Sequence, residues 1–368
     1  MAKIVLDNEV GRSVVYGGAV LGGGGGGTIA AGFQRFELAT AMGTPTMISL
    51  DDLNDDDLVI TASAVGAPTG EERFFMPVDI IKAMELVQQK TDRRISGIIP
   101  NENGPASGLN GWLQSAMLKI PMVDAPANGR AHPTGLMGGM GINRIPDYHS
   151  VQSAVGGNPD SGRYLEMVVE GQLQVAANLV RQAAVESGGL VMVVRDPLPV
   201  SYLKTNAAPG ATTHAMSIGR AMMNAEDAGA ATVIDAIVTS TAGDILCAGK
   251  IEQLELQAIG GYTLGKLKVQ GECSAEVSVW NEYMTLDIDG VRHSTFPDLI
   301  TIISQKTGMP LASSEIANGE DVVVLCVPRC NLILGTGVLL PETLREAEQA
   351  INRDLYSASL NEPTGEVA

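Results

Sequence analysis

The spacing of apolar residues changes near residue 231, and this change limits the folds that the chain can adopt. Before it, short apolar runs typical of buried strands alternate with longer patterns typical of helices. The predicted strands are 45–49, 58–63, 95–100, 120–123 and 190–194, and the predicted helices are 28–41, 77–90, 164–187 and 212–227. Strands that alternate with helices predict a mostly parallel sheet covered by helices.

After residue 231 the apolar residues follow a period of two, which is typical of strands with one buried face. The predicted strands of this part are 231–238, 244–256, 262–270, 275–280, 284–288 and 321–327. Gly-Gly, Gly-Glu and Asp-Gly pairs separate several of them, as expected for tight turns. This part is predicted to be a barrel or a sandwich, followed by a helix over 341–353.

The length of 368 residues is sufficient for two domains. We predict an α/β glycine-loop domain over 1–165 and a helical and α/β continuation over 166–235 that packs on it. A β-rich domain is predicted over 236–335, and a C-terminal helix and tail over 336–368.

Composition and charge exclude several classes of protein. The net charge is −18 and no cluster of Lys and Arg occurs, so we expect no nucleic-acid partner. No window reaches the roughly 18 uninterrupted apolar residues of a membrane span, so we expect no membrane contact and a cytoplasmic protein. Four cysteines are too few for a disulfide scaffold, and Cys326 and Cys330 lack a second pair with zinc-site spacing.

Six consecutive glycines, 22–27, lie between an apolar segment over 12–21, which we interpret as strand-like, and the helix predicted over 28–41. Glycines at such a junction let backbone N–H groups face an anion or polar ligand at the start of a helix. The predicted substrate-binding glycines are Gly23, Gly24, Gly25 and Gly26. A tight structural turn and a flexible linker are the alternatives. The run matches the dinucleotide-binding spacing G-x-G-x-x-G trivially, so that match carries no weight.

Two polar or glycine-containing loops follow predicted strands, where open α/β sheets bind ligands. One loop, 65–70, follows the strand 58–63, and the other, 100–104, follows the strand 95–100. The predicted substrate-binding residues of these loops are Gly66, Pro68, Asn101 and Asn103. Glu102 is a candidate general base or metal ligand. Ordinary turns are the alternative for both loops.

The densest cluster of polar side chains lies in the segment 121–133, PMVDAPANGRAHP. Asp124 follows a predicted strand. Arg130 and His132 are separated by one residue, so their side chains point the same way if the segment is extended. The cluster predicts an active site, and a hydrogen-bonded structural loop is the alternative.

Together these segments resemble the bacterial S-methyl thiohydantoin desulfurase family over about residues 10–335. The resemblance rests on the order of the motifs rather than on any single one. The motifs are Leu21-Gly22, Val65-Gly66-Ala67-Pro68, the Glu102 loop, PMVDAPANGRAHP, Gly249-Lys250-Ile251, Gly260-Gly261-Tyr262, Trp280-Asn281-Glu282, Phe296-Pro297-Asp298-Leu299-Ile300 and Thr307-Gly308. The resemblance implies an α/β plus β fold, with an N-terminal three-layer α/β/α domain and a C-terminal β-rich, barrel-like domain. It also implies chemistry on hydantoin-type rings and a pathway partner of the hydantoinase or oxoprolinase type.

The chain departs from the family pattern at two places. The usual Glu-Gly-Gly-Asn loop reads Asn-Glu-Asn-Gly here, and the usual Gly-Arg-Ala-Phe-Pro-Glu reads Gly-Arg-Ala-His-Pro-Thr. His132 therefore replaces an aromatic residue and Thr134 replaces a carboxylate. These differences leave the substrate and the reaction open.

Removal of sulfur from an S-methyl thiohydantoin is hydrolytic, because water adds to the ring carbon that bears sulfur and a thiol leaves. Our hypothesis is that Glu102 or Asp124 activates water and that His132 transfers protons. Arg130 and the N–H groups of Gly23–Gly26 would stabilise the polarised ring. A bound divalent metal is the alternative to a protein base, with Glu102, Asp124 and His132 as ligands, although the spacing fixes no coordination set.

Other functions stay open. One is hydrolysis or isomerisation of another cyclic amide or imide, and a second is a non-catalytic subunit that binds a hydantoinase-like partner. Nucleotide binding rests on the glycines alone and ranks last. We expect a small cyclic substrate and a homo-oligomer.

Overall fold

A computed structural model describes residues 3–66 and 72–357. The helices are α1 (Asn8–Leu21), α2 (Ile29–Met42), α3 (Pro77–Gln88), α4 (Trp112–Leu118), α5 (Leu173–Glu186), α6 (Val200–Asn206), α7 (Ala211–Ala225), α8 (Ala230–Thr241) and α9 (Pro341–Ile351). The strands are β1 (Ile4–Val5), β2 (Thr46–Ile48), β3 (Leu58–Gly66), β4 (Ile95–Pro100), β5 (Met122–Val123), β6 (Ser150–Gly156), β7 (Leu165–Gly171), β8 (Leu190–Pro199), β9 (Asp244–Ile259), β10 (Tyr262–Gly271), β11 (Ser274–Trp280), β12 (Glu282–Ile288), β13 (Val291–Thr295), β14 (Leu299–Ser304) and β15 (Asp321–Val327).

The first sheet has eight strands in the order β1-β2-β5-β4-β3-β8-β6-β7. The neighbouring strands β2, β5, β4 and β3 pair in parallel. The pairs β1–β2, β3–β8, β8–β6 and β6–β7 are antiparallel. Alternate side chains of β8 point to opposite faces, so Val191 and Val193 pack with α5 whereas Val194 packs with α3. The three-layer α/β/α arrangement is therefore confirmed, but the sheet is mixed rather than mostly parallel.

The second sheet has seven strands in the order β13-β12-β11-β10-β9-β15-β14, all paired antiparallel. The sheet is curled. This is evident from the contact between β12 and β14, since four strands lie between these two in the strand order. The helix α9 packs against β10 and β11. The predicted β-rich C-terminal part is confirmed as a curled half-barrel.

Residues 12–21 belong to the helix α1, so their interpretation as a strand is wrong. The side chain of Asp7 accepts a hydrogen bond from the N–H of Val10 at 3.0 Å and caps this helix. The helix is buried between α2 and α7, and a Cβ on Gly17 would lie 1.8 Å from the carbonyl oxygen of Ala215 in α7. The exposed polar residues of α1 lie at its start, whereas every residue from Ser13 to Leu21 is buried, so the run 12–21 resembles a buried strand.

Two other element predictions are wrong. The segment 164–187 is divided into β7 and α5, because β7 pairs with β6 along its whole length. The segment 231–238 lies in α8, where Val233, Ile234 and Ile237 share the buried side. That spacing belongs to one helix face, and packing against α7 outweighs the strand preference of β-branched residues. The strands β1, β6, β13 and β14 were not predicted.

Two further features of the fold are the state of the cysteines and the length of the helices. Cys247 of β9 and Cys273, between β10 and β11, form a disulfide within the second sheet. Cys326 is buried and Cys330 is exposed, and neither belongs to this disulfide. Over 3–66 and 72–357, every helix is too short or too polar to cross a membrane.

Candidate active site

A cavity of about 170 Å³ lies between the edge at which β3 and β4 end and the turn that joins β11 to β12. Its walls come from the glycine run, from the loops after β3 and β4, from the segment that starts at His132, and from the β11–β12 turn. The predicted site residues that line it are Gly24, Gly25, Gly26, Gly66, Asn101, Glu102 and His132. The fold thus gathers loops that lie far apart in the sequence around one cavity.

The carbonyl groups of the glycine run hold it in place. The oxygen of Gly26 accepts hydrogen bonds from the N–H groups of Ala106 and Ser107 at 3.0 and 2.9 Å. The oxygen of Gly23 accepts one from the N–H of Tyr283 at 2.7 Å. The run therefore joins α1 to α2 and is bound to both the first half and the second half of the chain.

The N–H groups of Gly24, Gly26 and Gly27 have no hydrogen-bond partner within the residues that the structure describes. Their φ values of 90°, 73° and 93° lie in the left-handed region that favours glycine. The helix α2 follows, and its cap Thr28 accepts from the N–H of Ala31 at 3.2 Å. N–H groups at the start of a helix favour a negatively charged atom. The run can thus donate hydrogen bonds to a polarised ligand, although it follows a helix rather than a strand.

Glu102 lies directly beyond the end of β4 and is buried in the cavity wall. Its Oε2 accepts a hydrogen bond from the backbone N–H of His132 at 3.1 Å, and Nδ1 of His132 lies 3.2 Å from the same oxygen. Burial raises the pKa of Glu102 to about 7, although hydrogen bonds to its oxygens oppose the rise. Such a carboxyl group can exchange a proton near neutral pH.

The His132 side chain is also buried. Burial, together with the positive charges of Arg195 and Arg130, lowers the pKa of His132 to about 3. The imidazole is therefore neutral at neutral pH, which argues against a role as a charged acid, and its Nδ1 is buried without a hydrogen-bond partner among the described residues.

A second buried carboxyl group, Glu282, also lines the cavity, and sequence reasoning missed it. It follows Asn281, whose φ of 57° closes the one-residue turn between β11 and β12. A Cβ on Gly25 would lie 1.9 Å from Oε1 of Glu282, so only glycine fits there. Burial raises the pKa of Glu282 well above its usual value, and the charge of Glu102 raises it further. The Trp-Asn-Glu motif carried the family resemblance, but nothing in it indicated which loop it would face.

Four arginines bring positive charge to this cavity in a chain with a net charge of −18. They are Arg35, Arg73, Arg181 and Arg195. Arg195 is buried in β8 opposite Thr61, and burial lowers its pKa to about 10, which leaves it charged at neutral pH. These arginines lie within or beside regular elements without a local motif, so the sequence did not mark them. Guanidinium groups bind carboxylates and other anions strongly.

Asp124 does not line the cavity but caps α7. Its carboxylate accepts hydrogen bonds from the N–H of Thr212 at 2.9 Å, from the N–H of Thr213 at 3.2 Å, and from the Thr213 hydroxyl. Because both oxygens are engaged at a helix start, the structure favours a structural role for this residue.

We expect Asp124→Ala to lower the free energy of unfolding by about 1–2 kcal/mol, as loss of a helix cap does, without a comparable change in turnover. Urea denaturation and steady-state kinetics on the same preparation measure both quantities. A large loss of turnover at unchanged stability would instead assign Asp124 to the chemistry.

Arg130 lies behind the cavity wall and is fully buried. Its guanidinium donates to the carbonyl oxygens of Ala131 at 3.2 Å, Pro297 at 3.1 Å and Asp298, and stacks 4.6 Å from the ring centre of Phe296. It therefore connects the PMVDAPANGRAHP segment to the second sheet.

Two other predicted site residues, Gly23 and Asn103, also lie outside the lining. Gly23 packs against Arg130, and the side-chain amide of Asn103 donates to the carbonyl oxygen of Ala211 at 2.7 Å. Pro68 lies outside the described residues. These contacts favour support of the site over contact with a ligand.

The three predicted metal ligands do not converge. Glu102 and His132 are adjacent, but Asp124 is engaged at the start of α7. Over the described ranges no group of three or more His, Cys, Asp or Glu side chains could hold a metal ion. The donor set therefore does not fit a metal site, and no reaction step is assigned to a metal.

Position 134, a carboxylate in the family pattern, has a carboxylate nearby. The Thr134 hydroxyl lies 3.4 Å from Oε2 of Glu346 in α9, and burial raises the pKa of Glu346. The chain thus places an acidic group beside position 134 from a distant element.

Comparisons with known proteins agree with this architecture. The family model described as S-Me-THD-like, N-terminal domain, matches residues 12–160, and S-Me-THD-like, C-terminal domain, matches residues 172–336. The crystal structure of a protein from Chromobacterium violaceum is 18% identical, with a TM-score of 0.69 and 98% coverage of each chain, and this likeness concerns the fold. No curated protein matches significantly. Because the two family models cover most of its length, the chain belongs to the S-methyl thiohydantoin desulfurase-like family.

Proposed function

We propose that the protein hydrolyses a five-membered S-alkyl thiohydantoin-type ring and releases a thiol. The observation that carries this proposal is Glu102, a buried carboxyl group with a pKa of about 7 in the wall of a cavity that the glycine run also lines. An apolar cavity of about 150 Å³ holds benzene, so a cavity of about 170 Å³ suits one small ring.

Each wall of the cavity has a role in this reaction. Ionised Glu102 takes a proton from water as the water oxygen bonds to the ring carbon that bears sulfur. The N–H groups of Gly24, Gly26 and Gly27 stabilise the negative charge that develops on the ring. The arginines that line the cavity bind an anionic substituent of the substrate, because guanidinium groups pair with carboxylates.

The test is incubation of the purified protein with S-methyl thiohydantoins that carry either a neutral or a carboxylate side chain at the ring. We expect stoichiometric release of methanethiol and of the hydantoin, with the carboxylate compound preferred. Opening of the ring without thiol release would point to hydrolysis of a cyclic amide, and no reaction with any of these rings would overturn the proposal.

We expect His132→Phe, which restores the family's aromatic residue, to lower kcat by only about tenfold or less. Glu102 accepts its hydrogen bond from the backbone N–H at position 132, which phenylalanine also provides. General acid–base catalysts contribute about 10²- to 10⁴-fold, so a loss in that range would show that the imidazole itself transfers the proton.

A further inference from the structure

The side of the cavity formed by the second sheet is closed by Glu282. Its side chain is buried, and the residue is 2% exposed. Oε2 of Glu282 has no hydrogen-bond partner among the residues that the structure describes. A buried polar atom without a partner needs an explanation, and a catalytic role is one of those that are known.

The surrounding backbone holds Glu282 in this position. The N–H of Asn281 donates to the oxygen of Thr263 at 2.7 Å, and its side-chain oxygen accepts from the N–H of Thr263 at 2.9 Å. Tyr283, which follows Glu282, donates a hydrogen bond from its N–H to the carbonyl oxygen of Gly23 in the glycine run. The turn is therefore fixed on both sides, and it places the carboxyl group against the loop that lines the cavity.

The two carboxyl groups of the cavity cannot both be ionised without mutual repulsion. The pKa of Glu102 is about 7, whereas burial and the charge of Glu102 raise the pKa of Glu282 well above the usual value. Arg130 opposes this rise. Two carboxyl groups in environments that differ in this way can take the roles of base and acid.

We propose that Glu282 is a second catalytic residue, which gives its proton to the sulfur atom as the carbon–sulfur bond breaks. This inference rests on the proposed function. The geometry that supports it is a buried carboxyl group in the lining of the same cavity as Glu102, with one oxygen that has no hydrogen-bond partner among the described residues.

The reaction balances in two steps. In the first, the water oxygen bonds to the ring carbon, Glu102 takes one water proton, and the electron pair of the carbon–nitrogen double bond moves to the ring nitrogen, which receives that proton. In the second, the carbon–sulfur bond breaks, sulfur leaves with the electron pair and takes the proton of Glu282, and Glu102 takes the hydroxyl proton as the carbonyl forms. Transfer of this proton from Glu102 to Glu282 restores both groups, and the products are a hydantoin and a thiol.

The test compares two leaving groups in the full-length protein. The S-methyl thiohydantoin releases a weakly acidic thiol, whereas the S-(2,2,2-trifluoroethyl) compound releases a much more acidic one that needs no proton donor. For Glu282→Gln we expect kcat on the S-methyl compound to fall about 10²- to 10⁴-fold and kcat on the trifluoroethyl compound to fall far less. Glu102→Gln should lower both rates to the same extent, and Glu252→Gln, at an exposed position of β9, should change neither.

Equal losses on the two substrates in Glu282→Gln would overturn the assignment, because a structural or binding role does not depend on the leaving group. If Glu282→Gln does not fold, Glu282→Asp keeps the acid and is expected to show the same dependence in weaker form. If the wild-type protein is active and Glu282→Gln loses the same factor on both substrates, the proposed function stands and only the role of Glu282 is overturned. If the wild-type protein acts on neither compound, the proposed function and the role of Glu282 are both overturned.

Discussion

Glu102→Gln is expected to lower kcat by about 10²- to 10⁴-fold, the usual contribution of a general base, and to stabilise the fold above pH 7. The amide keeps an oxygen that can accept from the N–H of His132 but cannot take a proton. Steady-state thiol release measures the first effect, and thermal unfolding as a function of pH measures the second.

The sign of the stability change follows from the raised pKa of Glu102. Its ordinary value is 4.5 and its value in the fold is about 7. The wild-type protein therefore loses stability as the pH rises from about 4.5 through about 7, because a buried carboxyl group must ionise. The variant lacks this loss. The wild-type kcat should rise over the upper part of the same interval, as the base form accumulates. A variant that is inactive and also less stable at pH 8 would indicate unfolding rather than loss of the base.

Arg130→Met is expected to lower the free energy of unfolding by about 2–5 kcal/mol, because each buried acceptor that is left without its donor costs about 1–3 kcal/mol. The carbonyl oxygens of Pro297 and Asp298 would lose their donor, and Phe296 would lose the stacked guanidinium. Urea denaturation measures the change. Arg130→Lys should not rescue it, because an ammonium group lacks the planar fork that serves several acceptors.

Arg144→Met provides the matched control. Arg144 is exposed and pairs with Glu342 at 2.7 Å, and exposed ion pairs contribute about 0–1 kcal/mol. If Arg130→Met instead kept normal stability and lost turnover, Arg130 would belong to the chemistry, as the sequence alone predicted.

The sequence predicted the fold where its local pattern agreed with its surroundings. The strand 58–63 is a short apolar run and the helix 77–90 has a helical period, and both exist as β3 and α3. The pattern failed where a helix segment was buried on every side, as in 12–21, or where one segment held two elements, as in 164–187. In each case tertiary packing decided the structure.

The same limit applies to the candidate site. Glu102 was predicted because it follows a strand whose carboxyl end faces a sheet edge, and the parallel pairing of β4 with β3 determines which edge. Glu282 and Arg195 were missed, because their contacts with the cavity depend on how the second sheet and β8 meet the glycine run. The spacing of residues along the chain does not predict how these elements pack against each other.

The hydrogen bonds of the glycine run also have an evolutionary consequence. Its carbonyl groups bind the loop after Glu102 and the strand that starts at Glu282, so this loop links the two halves of the chain to which the two acidic residues belong. Neither half expressed alone would contain both residues. A recombinant that took its halves from two relatives would have to preserve the fit between the loop of one parent and the β11–β12 turn of the other. Selection is therefore expected to transmit the halves as one unit, and to tolerate exchanges far from this junction more readily than exchanges across it.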